Sequence, residues 1–197
     1  MFIKLLKKVS VVLLAMNFLA CAALVPPATP SAADVEKEEQ VIYSFFLDNS
    51  SSGGAALILE ETSSNISEMT PQEMREQIKD SFKSVSKDTV DSYLARNEQS
   101  SPLSPTMDLD VEYILITRDQ LSEITSQPNW GEILTERYPG SYGYTIFSRV
   151  GFNNTLDQAV VYVGGMAGPM MGSGFYYLME KKDGEWRIME QVMVWIS

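Results

Sequence analysis

A chain of 197 residues, 45% apolar and 21% charged, is long enough for one globular domain with a sizeable core. It has no histidine and one cysteine, Cys21, which excludes Ser-His-Asp and Cys-His catalytic sites, imidazole metal ligands and any disulfide within the chain. Its formal net charge of −11 disfavours nucleic acid and anionic membrane surfaces as partners, and no motif calls for a cofactor.

The first thirty-odd residues read as an address. Lys4, Lys7 and Lys8 precede a short apolar run over residues 9–20, broken only by Ser10 and Asn17 and soon followed by Pro26 and Pro27. That run is too short for a membrane-spanning helix and fits a signal peptide. Phe18-Leu19-Ala20-Cys21 resembles the lipobox of bacterial lipoproteins, although Phe18 stands where an aliphatic residue is usual. The resemblance implies a signal peptide over residues 1–20 and a lipid on Cys21 that anchors the protein to a membrane, with residues 21–33 as a Pro/Ala linker. The alternative is ordinary secretion with cleavage after Ala33, where Ser31-Ala32-Ala33 offers small residues at the right spacing. Either reading sends the protein out of a bacterial cytoplasm, to the cell envelope or beyond. Without residues 1–33, 12 basic face 26 acidic residues, a net charge of −14.

A helix is predicted over residues 34–47. Asp34, Glu36, Glu38 and Glu39 suit the positive end of its dipole, and Val35, Ile42, Phe45 and Phe46 give it an apolar face. Residues 48–54 break it. Asp48, Ser50, Ser52 and Gly53 match a calcium loop, but Leu59 stands where the bidentate glutamate belongs and Glu60 is one place late. No metal site is predicted; a Ser/Gly turn into a strand at 56–62 is. Thr70-Pro71-Gln72-Glu73 is a capping box with proline in the first turn, and Met74, Ile78, Phe82 and Val85 continue an amphipathic stripe. The helical pattern runs to about Arg96 with a break near residues 86–88. A loop at 97–105 leads past Asp108 and Asp110, two acids best read as solvated, into a strand at 111–117. Thr117 caps a helix through Leu121 and Ile124, and a short helix from about Pro128 to Tyr138 ends at Pro139-Gly140.

The last quarter of the chain reads as a four-stranded meander: residues 144–152, 158–164, 175–182 and 185–196. Asp183-Gly184 between alternating runs is a strong two-residue hairpin signal. Counted from that turn, Lys182 faces Glu185, Lys181 faces Trp186, Glu180 faces Arg187 and Met179 faces Ile188. Continued without interruption, the register puts Glu190 opposite Tyr177 on an apolar face. Both faces are rich in apolar groups, so the sheet is expected to be covered on one side and curved or partly covered on the other. A lone glutamate on such a face needs a partner, and Arg149 is the matching oddity of the earlier strand. An Arg149–Glu190 pair with Tyr177 nearby would line a ligand cleft or hold a general base; the alternative is a structural ion pair, or a carboxylate reaching water at the sheet edge.

Residues 164–174 read as a glycine-rich connection. It has neither the lysine nor the Ser/Thr order of a phosphate-binding loop, and it joins strands where such a loop would open a helix. Its methionines, Met166, Met170 and Met171, form either an adaptable contact surface for a partner or ligand, or a cover folded back on the sheet.

The run Ser148-Arg149-Val150-Gly151-Phe152-Asn153, the strand from Gln158 to Gly164, the hairpin around Lys182-Asp183-Gly184-Glu185-Trp186 and Val194-Trp195-Ile196-Ser197 resemble a group of uncharacterised exported bacterial proteins. The likeness is strong over about the last third of the chain. It implies an exported protein and brings no activity or catalytic residue with it. More distantly, helices followed by a meander whose last hairpin reads Asp-Gly-x-Trp-x-Ile are similar to the NTF2-like cone, a fold that often encloses a pocket. The expected architecture is α+β: one domain over residues 35–197, its helices packed on a curved antiparallel sheet that ends in the meander. The expected role is a non-enzymatic exported lipoprotein domain binding a protein partner or small ligand. The competing expectation is a histidine-free enzyme with its acid–base site at Glu190, Arg149 and Tyr177.

Overall fold

The computed structural model of the chain describes residues 29–48, 54–64 and 69–197. The expectations for the signal segment, Cys21 and most of the calcium-like loop therefore lie outside the described residues. Among the described residues, no helix is long and apolar enough to cross a membrane.

The protein is an α+β fold. Helix α1 (Ala32–Asp48) opens it, started by a reciprocal cap in which the Asp34 N–H donates to the Ser31 hydroxyl and the Ser31 N–H to the Asp34 carboxylate. Strand β1 (Ala56–Leu59), helices α2 (Pro71–Ser81) and α3 (Lys87–Arg96), strand β2 (Tyr113–Ile116) and helices α4 (Arg118–Thr125) and α5 (Trp130–Arg137) follow. Then come β3 (Tyr144–Phe147), β4 (Gly151–Phe152), β5 (Gln158–Gly168), β6 (Met171–Lys182) and β7 (Glu185–Ile196). The helix starts are written in the sequence. Thr70 with Glu73 and Thr117 with Gln120 close capping boxes, and Ser86 caps α3 and so divides the long helical pattern into α2 and α3. The carboxylate of Asp91 on α3, gripped by Lys87 and by Arg75 of α2, is held down to about 2 by those two hydrogen-bonded cations.

One seven-stranded sheet runs in the order β2-β1-β3-β5-β6-β7, with β4 beside β3 on the edge of β5. The C-terminal meander is antiparallel, as its turn chemistry requires; Asp183 and Gly184 adopt φ of 56° and 86°. Beyond the meander the sheet is mixed, because β1 pairs parallel with both β2 and β3. One face is covered end to end: α2 and α3 bury Ile78, Phe82, Val90 and Tyr93 against Val160, Tyr162, Tyr176 and Leu178, and α4 and α5 bury Ile124, Trp130 and Leu134 against Leu57, Leu59 and Tyr144. The opposite face carries α1, whose Ile42, Tyr43 and Leu47 pack on Ile58, Phe147, Val161 and Met179. The expected covered side and partly covered side are both present.

Three sequence expectations are corrected. The glycine-rich connection at 164–174 is mostly strand: Gly164 pairs with Gly174 and Met166 with Gly172, and only Pro169-Met170 turns between β5 and β6. The paired glycines leave space that Tyr162 and Trp195 fill, the indole N–H donating to the Tyr162 hydroxyl at 2.7 Å. The strand expected over residues 144–152 is divided, because Ser148, Arg149 and Val150 leave the ladder. The register from the Asp-Gly turn holds through Met179↔Ile188 and then slips, since Leu178 pairs with Glu190 and leaves Met189 as a bulge; a second slip leaves out Val194. Each bulge moves the side chains beyond it to the other face, so Glu190 is opposite Leu178 and not Tyr177.

Candidate functional site

Two neighbouring acids on α1 organise the polar interior. Glu38 reaches the last hairpin, accepting from Lys181 at 2.6 Å and from the Trp186 indole at 2.8 Å. Glu39, 5% exposed, points the other way, into the break between β3 and β4. Its Oε1 accepts from the Val150 N–H at 2.8 Å, from Arg149 Nε at 3.0 Å and from Arg96 at 3.0 Å, while Oε2 takes the Arg149 Nη2 at 2.8 Å. Much of the rest of the break is satisfied by side chains, and the Ser148 N–H donates to the Tyr162 carbonyl at 3.0 Å. Asn97 accepts from the Arg149 N–H and donates to its carbonyl, both at 2.8 Å, and the Ser148 hydroxyl takes the Tyr162 N–H. Tyr43 donates to the Ser148 carbonyl at 2.9 Å, and burial with the nearby Glu39 charge raises its phenol far above the ordinary range, so it stays a donor.

The three residues singled out in the sequence are therefore not one site. Arg149 pairs with Glu39 and not with Glu190. Glu190 is half-buried on the helix-covered face, where it accepts from the Ser84 hydroxyl at 3.0 Å. Tyr177 lies on the α1 face, its ring 4.6 Å from that of Phe46 and tilted to it, and burial raises its hydroxyl above the usual value. Glu39 is the residue that sequence reasoning passed over. The signal was present: in the series Val35, Glu39, Ile42, Tyr43, Phe46 it occupies the buried stripe of the helix. A carboxylate whose oxygens take two guanidinium groups and a backbone N–H is a structural clamp; both of its oxygens are engaged. Asp108 and Asp110 sit in a segment laid along α1, their N–H groups donating to Gln40 and Ser44. Among the described residues, no group of three acids or cysteines is close enough to hold a metal ion.

A concave feature lies elsewhere along α1. α1 covers only part of its sheet face, and between its C-terminal end and strands β5–β7 opens a groove of about 520 Å³. Phe45 and Phe46 form one wall; Val163, Phe175, Tyr177 and Ile188 form the floor. The aromatic rings run in series, Phe45 to Phe46 at 5.3 Å, Phe46 to Tyr177 at 4.6 Å and Tyr177 to Phe175 at 5.8 Å. Thr145, Ser173 and Gln191 supply the polar groups of its lining, and none is charged. Of the methionines expected to meet a partner, Met166 is tucked against Tyr144, whose hydroxyl donates to its sulfur at 3.2 Å. Met170 and Met171 stand out at the β5–β6 turn, 84% and 55% exposed.

In comparisons with protein-family models, with curated proteins and with solved structures, the chain matches none.

Proposed function

We propose that this chain is a non-catalytic, exported binding domain that takes an uncharged apolar guest in the groove between α1 and strands β5–β7. The observation that carries the reading is an aromatic-lined concavity on a sheet face that the protein's own helices leave partly open. Its volume falls within the range of small-molecule sites, roughly 300–1,000 Å³. The lining has hydroxyls and an amide but no cation to receive a carboxylate or phosphate, which favours a neutral guest. The bulges at Met189 and Val194 interrupt the outer edge of β7, so a guest on this side lies on the face of the sheet in preference to adding a strand to it.

The neutral fluorophore N-phenyl-1-naphthylamine is the direct probe. It should bind saturably with one-to-one stoichiometry, and Ile188→Lys, at a position 40% exposed and so tolerant of charge, should weaken binding about tenfold or more. Non-saturable binding, or binding unchanged in both Ile188→Lys and Gln191→Lys, rejects the groove. Export rests on the basic and apolar pattern of the first twenty residues, on the lipobox-like Phe18-Leu19-Ala20-Cys21 and on the likeness of the last third to exported proteins. Mass spectrometry of the protein from its native cell should show a chain beginning at lipid-modified Cys21, or at Asp34 if secretion is of the ordinary kind; a chain retaining Met1 rejects export.

A further inference from the structure

The four most exposed large apolar side chains of the described residues are Met170 at 84%, Ile196 at 71%, Tyr142 at 70% and Met171 at 55%. They come from three segments that the fold gathers at one end of the sheet. Met170 lies in the β5–β6 turn and Met171 opens β6. Ile196 arrives opposite Ser173, with the Ser197 N–H donating to the Gly172 carbonyl at 3.0 Å. Tyr142 sits in the loop before β3, where Gly143, with φ of 80°, lies so close to Met166 and Ala167 that a Cβ would strike their backbone. The backbone beneath the patch is thus held in place, and its side chains still face water.

The segments that carry the patch are devoid of charge. Residues 138–148, 158–179 and 191–197 contain no Asp, Glu, Lys or Arg, in a chain that is 21% charged with a net charge of −11. We propose that two copies of the chain associate through this end, Met170, Met171, Tyr142 and Ile196 of each packing on the same residues of the other. An isologous contact requires one patch to complement itself, and an uncharged apolar surface does so. It also lets two strongly acidic chains meet through side chains that bring no like charges together. The four side chains, with half-exposed Met193 beyond them, would form the centre of such a contact, whose standard size is ~800 Å² per partner. A bilayer is the weaker occupant. The chain enters the domain at Thr29 and Pro30, beside Asn153 and Leu156, near the start of β5. The patch lies at the other end of that strand, about 35 Å away at ~3.3 Å per residue. A lipid on Cys21 would anchor the opposite pole, leaving the patch directed away from that membrane.

Sedimentation velocity of the mature chain over a concentration series, without detergent, tests this. The native chain should show a reversible monomer–dimer equilibrium. The M170E/M171E variant should raise the dimer dissociation constant about 100-fold, with an unchanged thermal midpoint at concentrations where the native chain is monomeric, and Tyr142→Arg should act in the same direction. Ile188→Lys, in the groove, should leave the dimer intact, which separates failure of the groove from failure of this contact. A chain monomeric at every concentration overturns the proposal, as does a dimer insensitive to both patch variants. A monomer that floats with phosphatidylcholine vesicles and loses them in M170E/M171E also overturns it, and assigns the patch to a bilayer.

Discussion

Glu39→Gln is expected to lower the free energy of unfolding by about 3 kcal/mol, the cost of leaving partly buried cationic groups without their counter-charge. The native carboxylate takes Arg149 through both oxygens, Arg96 through one, and the N–H of Val150 in a stretch of backbone that has no strand partner. Glutamine keeps the size and one acceptor but presents an N–H₂ group to a guanidinium, so two charges that are 22% and 24% exposed lose their partner together. Glu190→Gln is the control. Its carboxylate meets one exposed hydroxyl, and the change should stay within about 0.5 kcal/mol. Urea unfolding of both variants distinguishes the two carboxylates. Equal, small effects would show that the clamp does not hold the fold together.

Gly151→Ala is expected to destabilise by a similar amount, about 3 kcal/mol, through overpacking. A Cβ at Gly151 falls on the backbone of Tyr93, so α3 would have to lift from β4. Tyr93 is 1% exposed and stacks edge-on 5.8 Å from Tyr176, and it contributes to the larger core on the helix-covered face. Displacing it disturbs that whole layer. Gly165→Ala is the matched comparison, because its Cβ would sit 3.4 Å from the Tyr144 carbonyl, close enough to need only a small adjustment. A Gly151→Ala protein with the denaturant midpoint of Gly165→Ala would mean that the helix-to-strand approach is looser than it looks.

Local chemistry made much of the fold legible. The capping residues Thr70 and Thr117 each placed a helix start, and Asp183-Gly184 fixed the last hairpin and its register for the first four pairs. The parallel pairing of β1 with β2 and β3 was not legible, because those partners are 57 and 87 residues apart and nothing in a four-residue apolar run names its neighbour. The bulges at Met189 and Val194 were equally silent. They carry no glycine and no proline, and a single unpaired residue was enough to move Glu190 across the sheet and dissolve the proposed Arg149–Glu190 pair. The true partner of Arg149 was within reach, since Glu39 breaks the apolar stripe of α1 as plainly as Glu190 breaks that of β7. The acids around Glu39 also suit the helix dipole, which masks that break. The groove could not be foreseen from any motif, because it exists only where α1 stops short of the sheet's width.

The long-range ties of α1 bear on when this protein can fold. Its acids are bound to Arg149, Lys181 and Trp186, which follow them by 110, 143 and 148 residues. β1 likewise waits for strands made far later. A topology dominated by distant pairs condenses slowly and late, because loop closure must come before the contacts that reward it. The first helix of a growing chain therefore cannot complete its docking until nearly the last hairpin has emerged. If the chain leaves the cytoplasm as proposed, that delay keeps it pliable enough to thread through a secretion channel before its native contacts lock.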